Sequence, residues 1–164
     1  MIKKLCIVGL GKHALFQIGL LRKYRPAIEI TDLVDTSIAS YYRCLNSFNG
    51  DLSSNYSRNV TEALKRENHD VIYISTLSSS HVQIALEIIE SGYSKTIIIE
   101  KPISNSLEKV NILNEKISNI KWGGNIYLGF YRRNNNLLKE IKKIVMSKEI
   151  GELKKITYHG LVEI

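Results

Sequence analysis

Gly9-Leu10-Gly11-Lys12-His13-Ala14 follows a short apolar run, Leu5 to Val8, and opens a segment with apolar residues at helical spacing. In that setting a glycine-rich turn does definite chemistry. Gly9 permits the tight turn, and Gly11 lets the backbone approach a pyrophosphate held on the free amides of a helix N-terminus. Ala14 supplies the small side chain that close helix–strand packing needs there. Gly9, Gly11, Lys12 and His13 are therefore candidate contacts to a dinucleotide. About 20 residues further on, Asp35 closes the next apolar run, where a carboxylate accepts hydrogen bonds from adenosine ribose hydroxyls. It would repel a 2′-phosphate, which favours NAD, with NADP as the second choice. The competing role for Asp35 is to cap the following helix.

Two further segments sit at the carboxyl ends of apolar runs, the edge where open α/β sheets bind ligands. Thr76-Leu77-Ser78-Ser79-Ser80-His81 offers hydroxyls to ribose or phosphate oxygens, or simply caps for the next helix. Glu100-Lys101-Pro102 places an ammonium where it could hold a substrate hydroxyl or assist its proton transfer. A cis bond at Pro102 would aim Lys101 at the cleft. The alternative is a surface ion pair in a turn.

The elements that must position these residues alternate. Ile28 to Val34, Val71 to Ser75, Thr96 to Ile99 and Asn125 to Phe130 read as strands, with Leu5 to Val8 first. Helices are expected from about Leu15 to Tyr24, stopped by Pro26, and from about Ser37 to Leu45. Others are expected after a Thr61 cap, from Ser79 or Ser80 to Gly92, from Leu107 to Ser118 behind a Ser106 cap, and from Leu137 to Ser147. The alternation predicts an α/β fold, a doubly wound parallel sheet with helices on both faces. The segment from Asn46 to Gly50 reads as a polar loop. Glu152 to Ile164 reads as a final strand without a partner in the pattern.

Composition narrows the field. The 164 residues are 44% hydrophobic and 24% charged, ordinary for a globular chain. Cys6 and Cys44 make neither a disulfide framework nor a zinc site, so no metal is expected and a reducing cytoplasm is. No apolar stretch approaches the roughly 20 residues of a membrane span. The net charge of +7 comes from scattered Lys and Arg, so nucleic acid is not an expected partner.

Taken in order, Gly9-Leu10-Gly11 with Ala14, Val34-Asp35, Thr76 to His81, Glu100-Lys101-Pro102, Gly129-Phe130-Tyr131-Arg132-Arg133 and Glu149-Ile150-Gly151-Glu152-Leu153 resemble the Gfo/Idh/MocA oxidoreductases. The resemblance implies a Rossmann domain over 1–130 that binds NAD or NADP. It implies a catalytic lysine at Lys101, beside the substrate and the nicotinamide ribose, with Arg132 facing the substrate. It also implies a connecting helix and the first strand of a C-terminal substrate domain over 131–164. Leu77, Ser78 and Gln17 depart from the family's usual Pro, Asn and His. The substrate pocket and an Asp–His pair belong, by the same resemblance, to the second domain, which the 164 residues do not carry. The expected function is hydride transfer on a sugar, sugar nucleotide or polyol, with this chain as the cofactor-binding part. The alternative is a non-catalytic nucleotide sensor or partner subunit. The last strand, with Ile156, Tyr158, Leu161 and Val162, is expected to pair with a second copy of the chain.

Overall fold

The computed structural model describes residues 3–130, 133 and 135–157. Six strands lie in one sheet, every neighbouring pair parallel: β1 (Lys3–Val8), β2 (Ile28–Val34), β3 (Asn55–Ser57), β4 (Val71–Ile74), β5 (Thr96–Ile99) and β6 (Asn125–Leu128). Their order is β3-β2-β1-β4-β5-β6. Helices α1 (Lys12–Tyr24), α2 (Ile38–Ser47), α3 (Val60–Arg66), α4 (His81–Glu90) and α5 (Leu107–Asn119) make the crossovers. This is the doubly wound Rossmann arrangement, and the chain direction reverses its march across the sheet between β1 and β4.

The period-two alternation of β1 explains how both faces are covered. Leu5 and Ile7 pack with Ala14 and Ile18 of α1 and Cys44 of α2. Cys6 and Val8 point the other way, toward Ala63 of α3 and Val82, Ala85, Ile88 and Ile89 of α4. β4 divides in the same manner, with Tyr73 on the first side and Ile72 and Ile74 on the second. Strands buried on both faces need apolar residues throughout, which is why β4 and β5 read as unbroken runs of β-branched and aromatic residues. Each fully buried aliphatic side chain contributes about 1.5–3 kcal/mol.

Three local findings differ from the sequence expectations. A third strand, Asn55–Ser57, pairs with Asp32–Val34 of β2 in a stretch to which the sequence reading assigns no element. The cap of α3 is Asn59, whose side chain accepts the Glu62 N–H, so Thr61 lies inside the helix. Residues 152–157 form no strand, and 158–164 lie outside the described residues.

The chain divides into two compact units, Met1–Gly129 and Phe130–Ile164. The second contains α6 (Asn136–Ser147), capped by Asn135 and closed by Lys148 in the left-handed conformation. Among the described residues no helix is long and apolar enough to cross a membrane.

Candidate functional site

The site grows from the end of β1. Gly9 adopts φ +91°, and its N–H donates to the Val34 carbonyl at 2.8 Å. A Cβ on Gly9 would lie 2.7 Å from Thr76 Cγ2 and 2.8 Å from the Ser75 carbonyl carbon and oxygen. The turn thus runs hard against the segment leaving β4. Gly11 is different. It is the N-cap of α1, no side chain caps that helix, and a Cβ there would meet nothing within 4 Å. The first amides of α1 therefore open onto clear space, with Lys12 and His13 exposed beside them and Ala14 fully buried beneath.

Asp35 is engaged through both carboxylate oxygens. Its Oδ1 accepts the Ser37 N–H at 2.9 Å, at the start of α2. Its Oδ2 accepts the Leu10 N–H at 2.9 Å and so ties the glycine turn to the end of β2. Each carboxylate oxygen offers a second acceptor site, so capacity remains for ribose hydroxyls.

These residues line one cleft of about 690 Å³ at the carboxyl edge of the sheet, astride β1 and β4. That volume suits a small-molecule or cofactor site. The cleft gathers Gly9, Gly11, Lys12, His13, Asp35, Thr76 and Leu77 as expected. It adds Arg58, Asn59 and Val60 from the β3–α3 junction and Gln83, Ile84 and Glu87 from α4, none of which the sequence singled out. Ser78, His81, Glu100, Lys101 and Pro102 are not among its lining residues. A dinucleotide fits this set. An uncapped helix N-terminus opens beneath clear space, a carboxylate stands at the end of β2, and Gly11 leaves room above the α1 amides that a pyrophosphate would need.

The β5 edge forms a second, adjoining group. The Glu100 carboxylate accepts the Tyr73 hydroxyl at 2.8 Å and the Lys101 N–H at 3.2 Å. His13 Nε2 lies 3.1 Å from the same carboxylate, so Glu100 reaches the cleft wall through His13. Gln17, on the next turn of α1, touches His13 at 3.4 Å. Burial, then the Glu100 contact, pushes the Tyr73 hydroxyl well above the usual tyrosine range. Lys101 is exposed, and the Lys101–Pro102 bond is cis. His81 is 1% exposed and faces main-chain carbonyls on both sides. Arg132, expected on the substrate side, lies outside the described residues.

A family model described as "Oxidoreductase family, NAD-binding Rossmann fold" (GFO_IDH_MocA) matches residues 3–119. A scyllo-inositol 2-dehydrogenase (NAD(+)) of Bacillus subtilis is 31% identical over 105 residues, 64% of this chain and 29% of that protein. The myo-inositol dehydrogenase of Lactobacillus casei, solved with NAD(H) and myo-inositol, superposes with a TM-score of 0.81. It is 20% identical, over 92% of this chain and 43% of its own. The WlbA dehydrogenase of Bordetella pertussis, solved with NADH and UDP-GlcNAcA, gives a TM-score of 0.75 at 19% identity, over 91% of this chain and 41% of its own. The two solved structures share the fold, and this chain spans less than half the length of each of these three relatives.

Proposed function

This chain belongs to the Gfo/Idh/MocA oxidoreductases, an NAD-binding Rossmann family, and from that membership we propose that its cleft holds a nicotinamide dinucleotide for hydride transfer on a sugar, sugar nucleotide or polyol. The observation that carries the proposal is the Asp35–Leu10 bond beside the uncapped α1 N-terminus. One carboxylate both shapes the phosphate turn and stands at the ribose position.

The roles follow from that arrangement. The α1 amides over Gly11 receive the pyrophosphate, with the helix dipole favouring its charge. Asp35 accepts the adenosine ribose hydroxyls, and Arg58, Asn59 and Val60 wall the adenosine side. Thr76 and Leu77, across the switch point at the end of β4, would hold the nicotinamide half. Lys101, next along the edge, would hold the reacting hydroxyl through its Nζ ammonium and assist the transfer of its proton. A bound nicotinamide would supply the hydride acceptor or donor.

The similar proteins include inositol dehydrogenases and a dehydrogenase solved with UDP-GlcNAcA, which supports the substrate class. We place residues 1–130 as the cofactor domain and 131–164 as the connection to a substrate domain. The buried free thiols Cys6 and Cys44 suit a reducing cytoplasm. Pairing of two chains through the last segment has no described strand to build on.

Calorimetry with NAD⁺, NADH, NADP⁺ and NADPH tests the proposal. NADH should bind more tightly than NADPH. Asp35→Ala should weaken NADH by about 1–3 kcal/mol, the scale of charge-assisted hydrogen bonds lost, and narrow the preference between the two. Equal affinity for all four in both proteins would leave Asp35 as a tie between turn and helix.

A further inference from the structure

His81 is the first residue of α4, and its ring lies between two loops rather than in the cleft. Nε2 is 3.0 Å from the Thr76 carbonyl oxygen and Nδ1 is 2.9 Å from the Pro102 carbonyl oxygen. The ring is buried, and its helix is anchored in the core through Val82, Ala85 and Ile88. Among the described residues no backbone N–H reaches either carbonyl. The imidazole is therefore the polar bridge between the loop after β4 and the loop after β5. A neutral ring serves one of these carbonyls and an imidazolium serves both.

Each loop carries something the nicotinamide end needs. Thr76 packs its methyl against Gly9 of the phosphate turn and accepts the Ser80 hydroxyl at 2.9 Å. Pro102 follows Lys101 directly. We propose that His81 is a positioning residue that sets the spacing between the Thr76 and Lys101 loops, and so shapes the nicotinamide half of the site without touching it. The proposal rests on the reading of the cleft as a dinucleotide site. It separates the two halves of that ligand: among the described residues Asp35, which would hold the adenosine ribose, shares no hydrogen bond with His81, Thr76 or Pro102.

The test compares NADH with ADP-ribose, which lacks the nicotinamide, on the full 164-residue chain by calorimetry, with thermal melts as a control for folding. The unaltered chain should prefer NADH. His81→Leu should weaken NADH about tenfold, the scale of a lost hydrogen bond, and leave ADP-ribose within about twofold. His81→Asn, too short to bridge both carbonyls, should do the same, and it decides the matter if His81→Leu does not fold. His81→Gln, which keeps a donor at nearly the same reach, should restore most of the NADH preference. Equal weakening of both ligands in the folded variants would make His81 a general fold residue and overturn the proposal. So would an unaltered chain that binds NADH and ADP-ribose equally well, with the cleft reading left intact. Failure of the unaltered chain to bind either ligand would overturn both.

Discussion

Gly9→Ala should cost the chain about 2–5 kcal/mol of stability and remove dinucleotide binding, whereas Gly11→Ala should leave stability unchanged and weaken binding alone. The two glycines sit two residues apart and face opposite circumstances. At Gly9 the φ of +91° penalises any L side chain by about 1–2 kcal/mol. The new methyl would also press on Ser75 main-chain atoms at 2.8 Å. Ser75 follows a buried strand, and its N–H is held by the Val8 carbonyl at 2.7 Å, so it cannot yield cheaply. Overpacking of this kind adds about 1–3 kcal/mol. Thr76 must move as well, and with it the wall of the cleft. At Gly11 φ is −73° and the space is open, so alanine fits the free protein. Its methyl enters the volume assigned to the pyrophosphate, and binding should fall by at least tenfold, about 1.4 kcal/mol. Urea unfolding and calorimetry on both variants read this out. A Gly9→Ala protein as stable as the parent would contradict the contact geometry. Unchanged binding in Gly11→Ala would move the phosphates elsewhere.

Much of this site is legible in the sequence because local chemistry dictates it. A turn that needs positive φ and an approach that needs no side chain select glycine at 9 and 11, whatever surrounds them. The runs at Val71 and Thr96 are β-branched because both faces of those strands are buried. The β2 expectation, Ile28 to Val34, coincides with the strand itself. What stays hidden depends on contacts between distant segments. Asn55-Tyr56-Ser57 is short, polar and at the sheet edge, and only pairing with β2 makes it a strand. Missing it also conceals the cleft wall that follows, Arg58 to Val60. Asn59 outcompetes Thr61 as the cap because Glu62 reciprocates, reaching back to the Arg58 N–H at 2.9 Å. Gln83, Ile84 and Glu87 face the cleft through the way α4 is rotated onto the sheet, which periodicity leaves open. Glu100 shows a similar limit. Its sequence context suggests a partner for Lys101, yet its carboxylate serves Tyr73 and His13 from other elements.

Asp32→Ala should destabilise the chain by about 2–4 kcal/mol while leaving dinucleotide affinity unchanged, because its partners lie away from the cleft. Asp32 is fully buried in β2, within a run that otherwise reads as ordinary strand. Its Oδ1 accepts Arg66 at 2.6 Å and its Oδ2 lies 2.9 Å from His69 Nε2. Arg66 also donates to Ser57 Oγ at 3.2 Å and to the Tyr56 carbonyl at 3.3 Å, so one carboxylate fastens β2 to β3, α3 and the lead-in to β4. The two partners differ in what they lose. The Arg66 side chain is 40% exposed and can turn to water. His69 is fully buried and its Nδ1 has no partner among the described residues, so removing Asp32 strands both ring nitrogens. Breaking a buried charged network by removing one member commonly costs about 3–5 kcal/mol. The freedom of Arg66 places this case lower. Arg66→Ala should therefore cost less than Asp32→Ala. His69→Leu in the Asp32→Ala background should recover part of the loss, since it removes the stranded ring. Cys6 supplies an independent gauge. Burial first, and the Asp32 carboxylate second, hold its thiol far above the usual cysteine range. Burial remains in the variant, so slow alkylation of Cys6 in folded Asp32→Ala would show that the strand kept its place and that the loss is electrostatic. Rapid alkylation would show that β1 and β2 had parted, and an unfolding free energy within 1 kcal/mol of the parent's would deny the network its role in stability.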